Sequence, residues 1–263
     1  MERKLLFFDI DETLVDGKTQ TVPESAKEDL FRAHENGHLI FINTGRCKSF
    51  LPSCLFPLPI DGFAYGCGSH IEYRGELLFL KYVPSEDLVW IRKAMLETAL
   101  QGVFQGPQYC YFDDTTDYYD NFKNFLKMYE RDYHAPKKSF YEKNMAVNKL
   151  VTFREEHCDY ERFVKKMKKE YQLIENGGGF TEILPLPYTK ATCMDFLMDY
   201  FHIGKENCFV FGDSPNDLPM LTHIENSIAM GNSYEVVKEA AKYVTAEIDQ
   251  DGIYQALKHF SII

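Results

Sequence analysis

The chain lacks any apolar run of the ~18–20 residues that a membrane-crossing helix requires, although hydrophobic residues make up 45% of its 263 residues. A membrane-embedded protein is not expected, and that apolar share is ample for a sizeable core. The opening Met1-Glu2-Arg3-Lys4-Leu5 has basic residues with only a short apolar stretch behind them, too little for a secretory leader. Cysteine is present but unpatterned. Cys47, Cys54, Cys67, Cys110, Cys158, Cys193 and Cys208 are odd in number and never spaced C-x-x-C, which speaks against a zinc site and a disulfide framework. The expectation is a cytoplasmic protein with reduced thiols. The histidines show no metal-ligand spacing either. Positive charge is the minority sign, with 29 Lys and Arg against 40 Asp and Glu and a net charge of −11. Such a surface repels polyphosphate backbones and anionic lipid, so neither a nucleic acid nor a membrane is an expected partner. A small anionic metabolite in a local cationic pocket stays open. There is no internal repeat, no low-complexity tract and no segment that reads as self-pairing, so the oligomeric state is undetermined.

What is present reads as α/β at both ends. Lys4 to Ile10 is a short apolar run ending in acid, the pattern of a buried strand that stops at a site. Pro23 to Asn36 carries helix-spaced apolar residues, and Gly37 supplies a left-handed stop. His38 to Asn43 is a second buried strand. Strand, helix, strand over this span is a βαβ unit and implies a parallel sheet with right-handed crossover. The rhythm returns in Asn207 to Phe211, Pro215 to Thr222, Ser227 to Met230, Tyr234 to Lys242 and a closing helix over 252–260.

The middle has a different texture. Phe63 to Tyr65, Ser69 to Tyr73 and Leu77 to Leu80 are short strand signals. Pro84 to Leu100, Thr116 to Tyr133 and Asp159 to Glu170 read as helices, and Gln108 to Asp113 and Ala146 to Arg154 as strands. Tyr171 to Asn176 and Phe180 to Leu184 form a hairpin through Gly177-Gly178-Gly179. This predicts an inserted α+β domain over 83–186, with 1–82 and 187–263 forming the α/β core.

Sites in an open parallel sheet form beyond the carboxyl ends of its strands. Asp9 and Asp11 end the first strand, Thr44, Gly45 and Arg46 the second, and Asp213, Ser214, Asn216 and Asp217 a third, while Lys190 starts the helix after the insert. Asp9, Asp11 and Asp213 together repel unless a cation lies between them, and Mg2+ suits such hard oxygens. Lys190 is a point charge for phosphate oxygens, and the Thr44 hydroxyl and backbone N–H groups add donors. One carboxylate can attack phosphorus, and the other can move the proton of the leaving oxygen. If strand geometry continues to Asp11, residues i and i+2 point the same way and both acids address one substrate.

The run Asp9-Ile10-Asp11-Glu12-Thr13 resembles the first motif of the haloacid dehalogenase superfamily of phosphatases. Thr44-Gly45-Arg46 is similar to its second, Lys190 to its third, and Gly212-Asp213-Ser214-Pro215-Asn216-Asp217 to its fourth. Order and spacing are similar to the Cof-like sugar-phosphatase branch, with Met230-Gly231-Asn232 and Asp251-Gly252-Ile253 as further matches. The resemblance implies a Rossmann-like core with an α+β cap and Mg2+ as cofactor. Asp9 would be nucleophile and metal ligand, and Asp11 the acid/base with its main-chain carbonyl on the metal. Asp213 would be the third ligand. Ile10, Thr44, Gly45 and Lys190 would hold the phosphoryl group, with Asn216 contacting phosphate or ordering the site and Asp217 orienting Lys190 or a metal-bound water. Glu12 and Ala191 depart from the pattern, standing where glycine is frequent.

Each motif alone is weak; their joint occurrence, in order, carries the reading. It implies a magnesium-dependent phosphatase for small phosphate monoesters, sugar phosphates first. The alternatives are nucleotide or flavin- and pyridoxal-type cofactor phosphates, or a non-catalytic phosphate-ester-binding protein on the same fold. The insert aromatics Tyr109, Tyr111, Phe112, Tyr118, Tyr119, Phe122 and Phe125 read as that domain's own core rather than a stacking platform.

Overall fold

The computed structural model describes residues 2–113, 117–132, 136–167, 169–176 and 178–263, without the side chains of Asp132 and Asn176. Two compact units emerge. One comprises Met1–Gly45, Ser53–Phe79 and Tyr188–Ile263; the other comprises Arg46–Pro52 and Leu80–Pro187.

In chain order the elements of the first unit begin with β1 (Leu5–Phe8), α1 (Glu24–Glu35) and β2 (Leu39–Asn43). These are followed by β3 (Gly62–Tyr65), β4 (His70–Tyr73) and β5 (Glu76–Leu80). The second unit contributes α2 (Ser85–Glu97), β6 (Gln101–Gln105), β7 (Cys110–Phe112), α3 (Asp120–Asp132), β8 (Lys137–Ser139), β9 (Lys149–Phe153), α4 (Tyr160–Lys166), β10 (Tyr171–Asn176) and β11 (Phe180–Pro185). The chain then returns through α5 (Thr192–Phe201), β12 (Cys208–Gly212), α6 (Leu218–His223), β13 (Asn226–Ala229), α7 (Glu235–Ala240), β14 (Tyr243–Val244) and α8 (Gly252–His259).

The first unit is built on an eight-stranded sheet in the order β14-β13-β12-β1-β2-β3-β4-β5. From β14 to β3 every pairing is parallel, and β3 to β4 is antiparallel. The expected parallel sheet and βαβ crossover are borne out. The central strands are buried on both sides, which is why they read as unbroken apolar runs. Alternate residues Leu5, Phe7, Leu39, Phe41 and Val210 pack with Met194, Leu197, Met220 and Val237 of α5, α6 and α7. α1 lies against β2 and α8. Its predicted stop is observed: Gly37 has φ +89°, a conformation glycine takes without steric cost. Among the described residues, no helix is long and apolar enough to cross a membrane.

The second unit has a six-stranded sheet in the order β10-β11-β9-β6-β7-β8 with apolar layers on both faces. Phe104, Tyr111 and Leu150 pack with Leu88, Ile91 and Phe163 of α2 and α4. Val103, Phe112, Val151 and Phe153 pack with Phe122 and Tyr129 of α3. The aromatics are thus mostly core, as read. Phe50 joins the second layer, its ring 5.6 Å from Phe125 and 5.0 Å from Tyr129. Cys47 Sγ donates to Asn148 Oδ1 (3.4 Å), and the Ser49 hydroxyl meets Cys110 Sγ at 3.3 Å. These contacts bind Arg46–Pro52 to this unit.

Two departures from the sequence reading have local causes. The helix expected to run to Leu100 ends at Glu97, because Ala99 enters the left-handed region at φ +58°, and the chain starts β6 two residues later. α4 stops at Lys166, where Met167 turns extended at ψ 135°. The ends expected at Thr116 and Tyr133, and Gly177 of the hairpin, lie outside the described residues.

Phe41 is fully buried between Phe7, Tyr73 and Phe201, with ring centroids 5.8, 6.1 and 5.8 Å away. Phe41→Ala is expected to destabilise the unit by about 3–5 kcal/mol. Phe56→Ala, at a ring 67% exposed, should stay within about 0.5 kcal/mol. Urea unfolding of the two variants checks the contrast.

Candidate active site

β1 pairing ends at Phe8, and Asp9 N still donates to Phe211 O (3.0 Å). The chain then turns at once. The Ile10 carbonyl accepts from Thr13, Leu14 and Val15 N at 3.4, 2.9 and 2.8 Å. Regular strand geometry therefore stops before Asp11, so the condition under which i/i+2 alternation would align the two acids is not met. Asp9 is buried and Asp11 exposed, yet Asp11 is near enough for its charge to act on Asp9. Glu12 takes φ +54°, which explains why glycine suits this position. Its carbonyl accepts from Asn232 Nδ2 (2.8 Å), whose Oδ1 accepts from Ile248 N (3.0 Å). The Met230-Gly231-Asn232 match thus anchors the first loop from the far end of the chain.

Lys190 Nζ lies 2.6 Å from Asp9 Oδ1 and 2.6 Å from Asp217 Oδ1. The second Asp217 oxygen accepts from Asp213 N (3.0 Å) and Ser214 N (3.1 Å). This fold-back needs a glycine before it, since a Cβ on Gly212 would stand 2.6 Å from the Asp217 carboxyl carbon. Asp213 Oδ1 accepts from the Thr13 hydroxyl (3.1 Å), and Ser214 Oγ donates to Asn216 Oδ1 (2.7 Å). Of the residues read from sequence, Asp9, Lys190, Asp213 and Asp217 are brought together directly. Ile10 is buried beside Asp9, and Asn216 braces the Asp213 turn. Thr44 and Gly45 are buried at the exit of β2, the strand beside β1, where Thr44 N donates to Ala64 O (2.9 Å) and Thr44 O accepts from Cys67 N (2.9 Å). Arg46 belongs to the other unit, and its Nη1 donates to Phe50 O (3.1 Å). The start of α5 is already engaged: Thr189 Oγ1 accepts from Ala191 N (3.3 Å) and Thr192 N (3.4 Å). Sequence reasoning passed over Thr13, Asn232 and Asn43, although the first two lie within motifs it quoted.

One oxygen from each of Asp9, Asp213 and Asp217 lies within 4.8 Å of the others. All three acids are buried, and Lys190 is paired with two of them. Burial pushes Asp9 up to about 7, against the pull of Lys190 and with the charges of Asp217 and Asp11 adding to the rise. Asp213 is pushed up to about 8 by burial, with Asp9 and Asp217 adding to it. For Lys190 burial opposes the charge, but Asp217 and Asp9 outweigh it and hold the amine above its ordinary value. A buried set with more acid than base is short of positive charge, and its donors are all hard oxygens, so the residues fit a divalent cation such as Mg2+. Both oxygens of Asp217 are already hydrogen-bonded, which leaves Asp9 and Asp213 as the carboxylates suited to direct ligation.

A mostly parallel sheet of this order with acids at neighbouring strand exits defines a Rossmann-like α/β core with an inserted second unit. A profile of the haloacid dehalogenase-like hydrolases matches residues 6–257. The chain belongs to that family, as its four motifs imply. YkrA of Bacillus subtilis (strain 168), which carries a provisional phosphatase name, is 26% identical over 265 residues, covering 100% of both chains. The structure of the haloacid dehalogenase subclass IIB sugar phosphatase BT4131 is 31% identical with a TM-score of 0.85, covering 99% of this chain and 100% of that one. The 5-amino-6-(5-phospho-D-ribitylamino)uracil phosphatase YcsE of Bacillus subtilis (strain 168) is 30% identical over 95 residues, 36% of this chain and 38% of that protein.

The raised acids set a pH dependence. Folded Asp9 and Asp213 keep protons that the unfolded chain releases near 3.8. Their contribution to stability is therefore full at low pH and is lost as pH rises towards about 8. The melting temperature of chelator-treated protein should fall between about pH 5 and 8. Saturating Mg2+ should raise it by several degrees at neutral pH, and Asp213→Asn should weaken that response. A melting temperature indifferent to Mg2+ would remove the cation site.

Proposed function

We propose that the protein is a magnesium-dependent phosphatase of small phosphate monoesters, sugar phosphates first, acting through a phospho-aspartate at Asp9. The observation that carries this reading is Lys190, buried and bonded to both Asp9 and Asp217 with Asp213 beside them. In the first half-reaction an Asp9 oxygen forms a bond to phosphorus as the ester P–O bond breaks, and Asp11 gives its proton to the departing alkoxide. In the second, Asp11 takes a proton from water, the water oxygen bonds to phosphorus, and the aspartyl P–O bond breaks to release inorganic phosphate. Lys190, Thr44, Gly45 and the backbone at Ile10 hold the phosphoryl oxygens, and Asp217 fixes the Lys190 amine. Asp9, Asp213 and the Asp11 main-chain carbonyl would hold Mg2+, which would supply the positive charge that phosphoryl transfer demands.

Exposure of Asp11 beside buried Asp9 suits a group that exchanges protons with solvent and leaving group. The sugar-phosphate reading is supported by the full-length likeness to a subclass IIB sugar phosphatase. A second reading, a phosphorylated flavin-precursor substrate, is supported by the shorter match to YcsE.

The test is Mg2+-dependent phosphate release across a panel of sugar, nucleotide and ribityl phosphates. Asp9→Asn should lower turnover by on the order of 10⁴-fold with an unchanged fold, and Asp11→Asn by about a hundredfold or more. Ester binding without turnover in the wild-type protein would favour a non-catalytic binding module, and near-normal activity of Asp9→Asn would remove the nucleophile.

A further inference from the structure

We infer that Asn43 is a positioning residue for Lys190, clamping its main chain so that the amine reaches Asp9 and Asp217. Leu39, Phe41 and Asn43 alternate on one face of β2, and the first two are apolar core. The third is an amide with no exposure at all. Its Nδ2 donates to the Lys190 carbonyl at 2.8 Å, and its Oδ1 accepts from Cys193 Sγ at 3.3 Å. Cys193 Sγ also lies 3.2 Å from the Lys190 carbonyl.

That carbonyl needs an outside partner. Lys190 stands just ahead of α5, and Met194 N, four residues on, donates to Ala191 O (3.0 Å) instead. A buried carbonyl without a donor is costly, so the peptide would turn to find one if Asn43 were removed. A thiol is a weak donor, and Cys193 cannot replace the amide. Rotation of the peptide swings the base of a long side chain whose tip must meet two oxygens at 2.6 Å. Asn43 thus ties the exit of β2, next to Thr44 and Gly45, to the lysine in the same unit.

The inference rests on the reading of Lys190 as the phosphoryl-binding cation, and two measurements separate its failure from failure of that reading. In the Mg2+-loaded protein, Asn43→Ala should weaken inorganic phosphate binding about tenfold and reduce kcat. Ile42→Val, at a buried neighbour on the other face of β2, should lower the melting temperature but leave phosphate affinity unchanged. Asn43→Leu, close in size but without a donor for the carbonyl, should behave like Asn43→Ala. In a Lys190→Ala background Asn43→Ala should have no further effect on phosphate binding. Independently of any turnover, the ¹⁵N resonance of the buried Lys190 ammonium should shift or broaden in Asn43→Ala and not in Ile42→Val. An unchanged ammonium signal in Asn43→Ala, or, where the wild-type protein binds phosphate, equal phosphate affinities in Asn43→Ala and Ile42→Val, overturns the inference. A shifted signal in a protein that neither binds nor hydrolyses phosphate esters upholds the clamp and sinks the phosphatase reading instead.

Discussion

The Lys190 ammonium, held out of water between Asp9 and Asp217, is the interaction on which the site depends. Desolvating a charge is expensive unless it is paired, and removing one partner from a buried pair leaves the other uncompensated. Here the pairing is lopsided, because Lys190 bonds Asp9 and Asp217 while Asp213 is a third buried acid beside them. Burial, reinforced by the neighbouring carboxylates, raises the proton affinities of Asp9 and Asp213. A second cation resolves the imbalance, so the same shortage of positive charge that costs stability also creates a place for a metal.

Convergence of these groups follows from strand order. β1 and β12 are parallel neighbours, so their carboxyl ends deliver Asp9 and Asp213 side by side, and β2 on the other flank of β1 delivers Thr44. The turns after these strands then set the fine geometry. Gly212 leaves room for the Asp217 carboxylate to fold back, and Glu12 accepts a left-handed backbone that costs a non-glycine residue about 1–2 kcal/mol. The Asn232 hydrogen bond to the Glu12 carbonyl helps hold that conformation.

Much of the core was legible because its strands are buried on both faces and announce themselves as apolar runs ending in acid. The second unit was harder to read. β6 sits at the centre of its sheet, yet its five residues begin and end in glutamine and follow a helix whose stop is an alanine rather than a glycine. Arg46–Pro52 was invisible as part of that unit, since Phe50 meets Phe125 and Tyr129 across more than seventy residues of chain. At the site, residue types in ordered motifs named the charged groups correctly as neighbours. The supporting contacts of Asn43, Thr13 and Asn232 were not legible, because a buried amide or hydroxyl is recognised only through the partner that satisfies it.

On the proposed reading, the chemistry-bearing residues of the first unit act on the phosphoryl group and its bridging oxygen, which every phosphate monoester shares. Charge and hydrogen bonds aimed at that group accelerate its transfer without telling one leaving group from another. Selectivity has to come from contacts that only the right leaving group can make. Relatives of this chain are named for chemically different esters, a sugar phosphate in one case and a ribitylamino-uracil phosphate in another. A common phosphoryl site with separately evolved leaving-group contacts accounts for that spread. It also explains why motifs this ordered identify the reaction so much more sharply than the substrate.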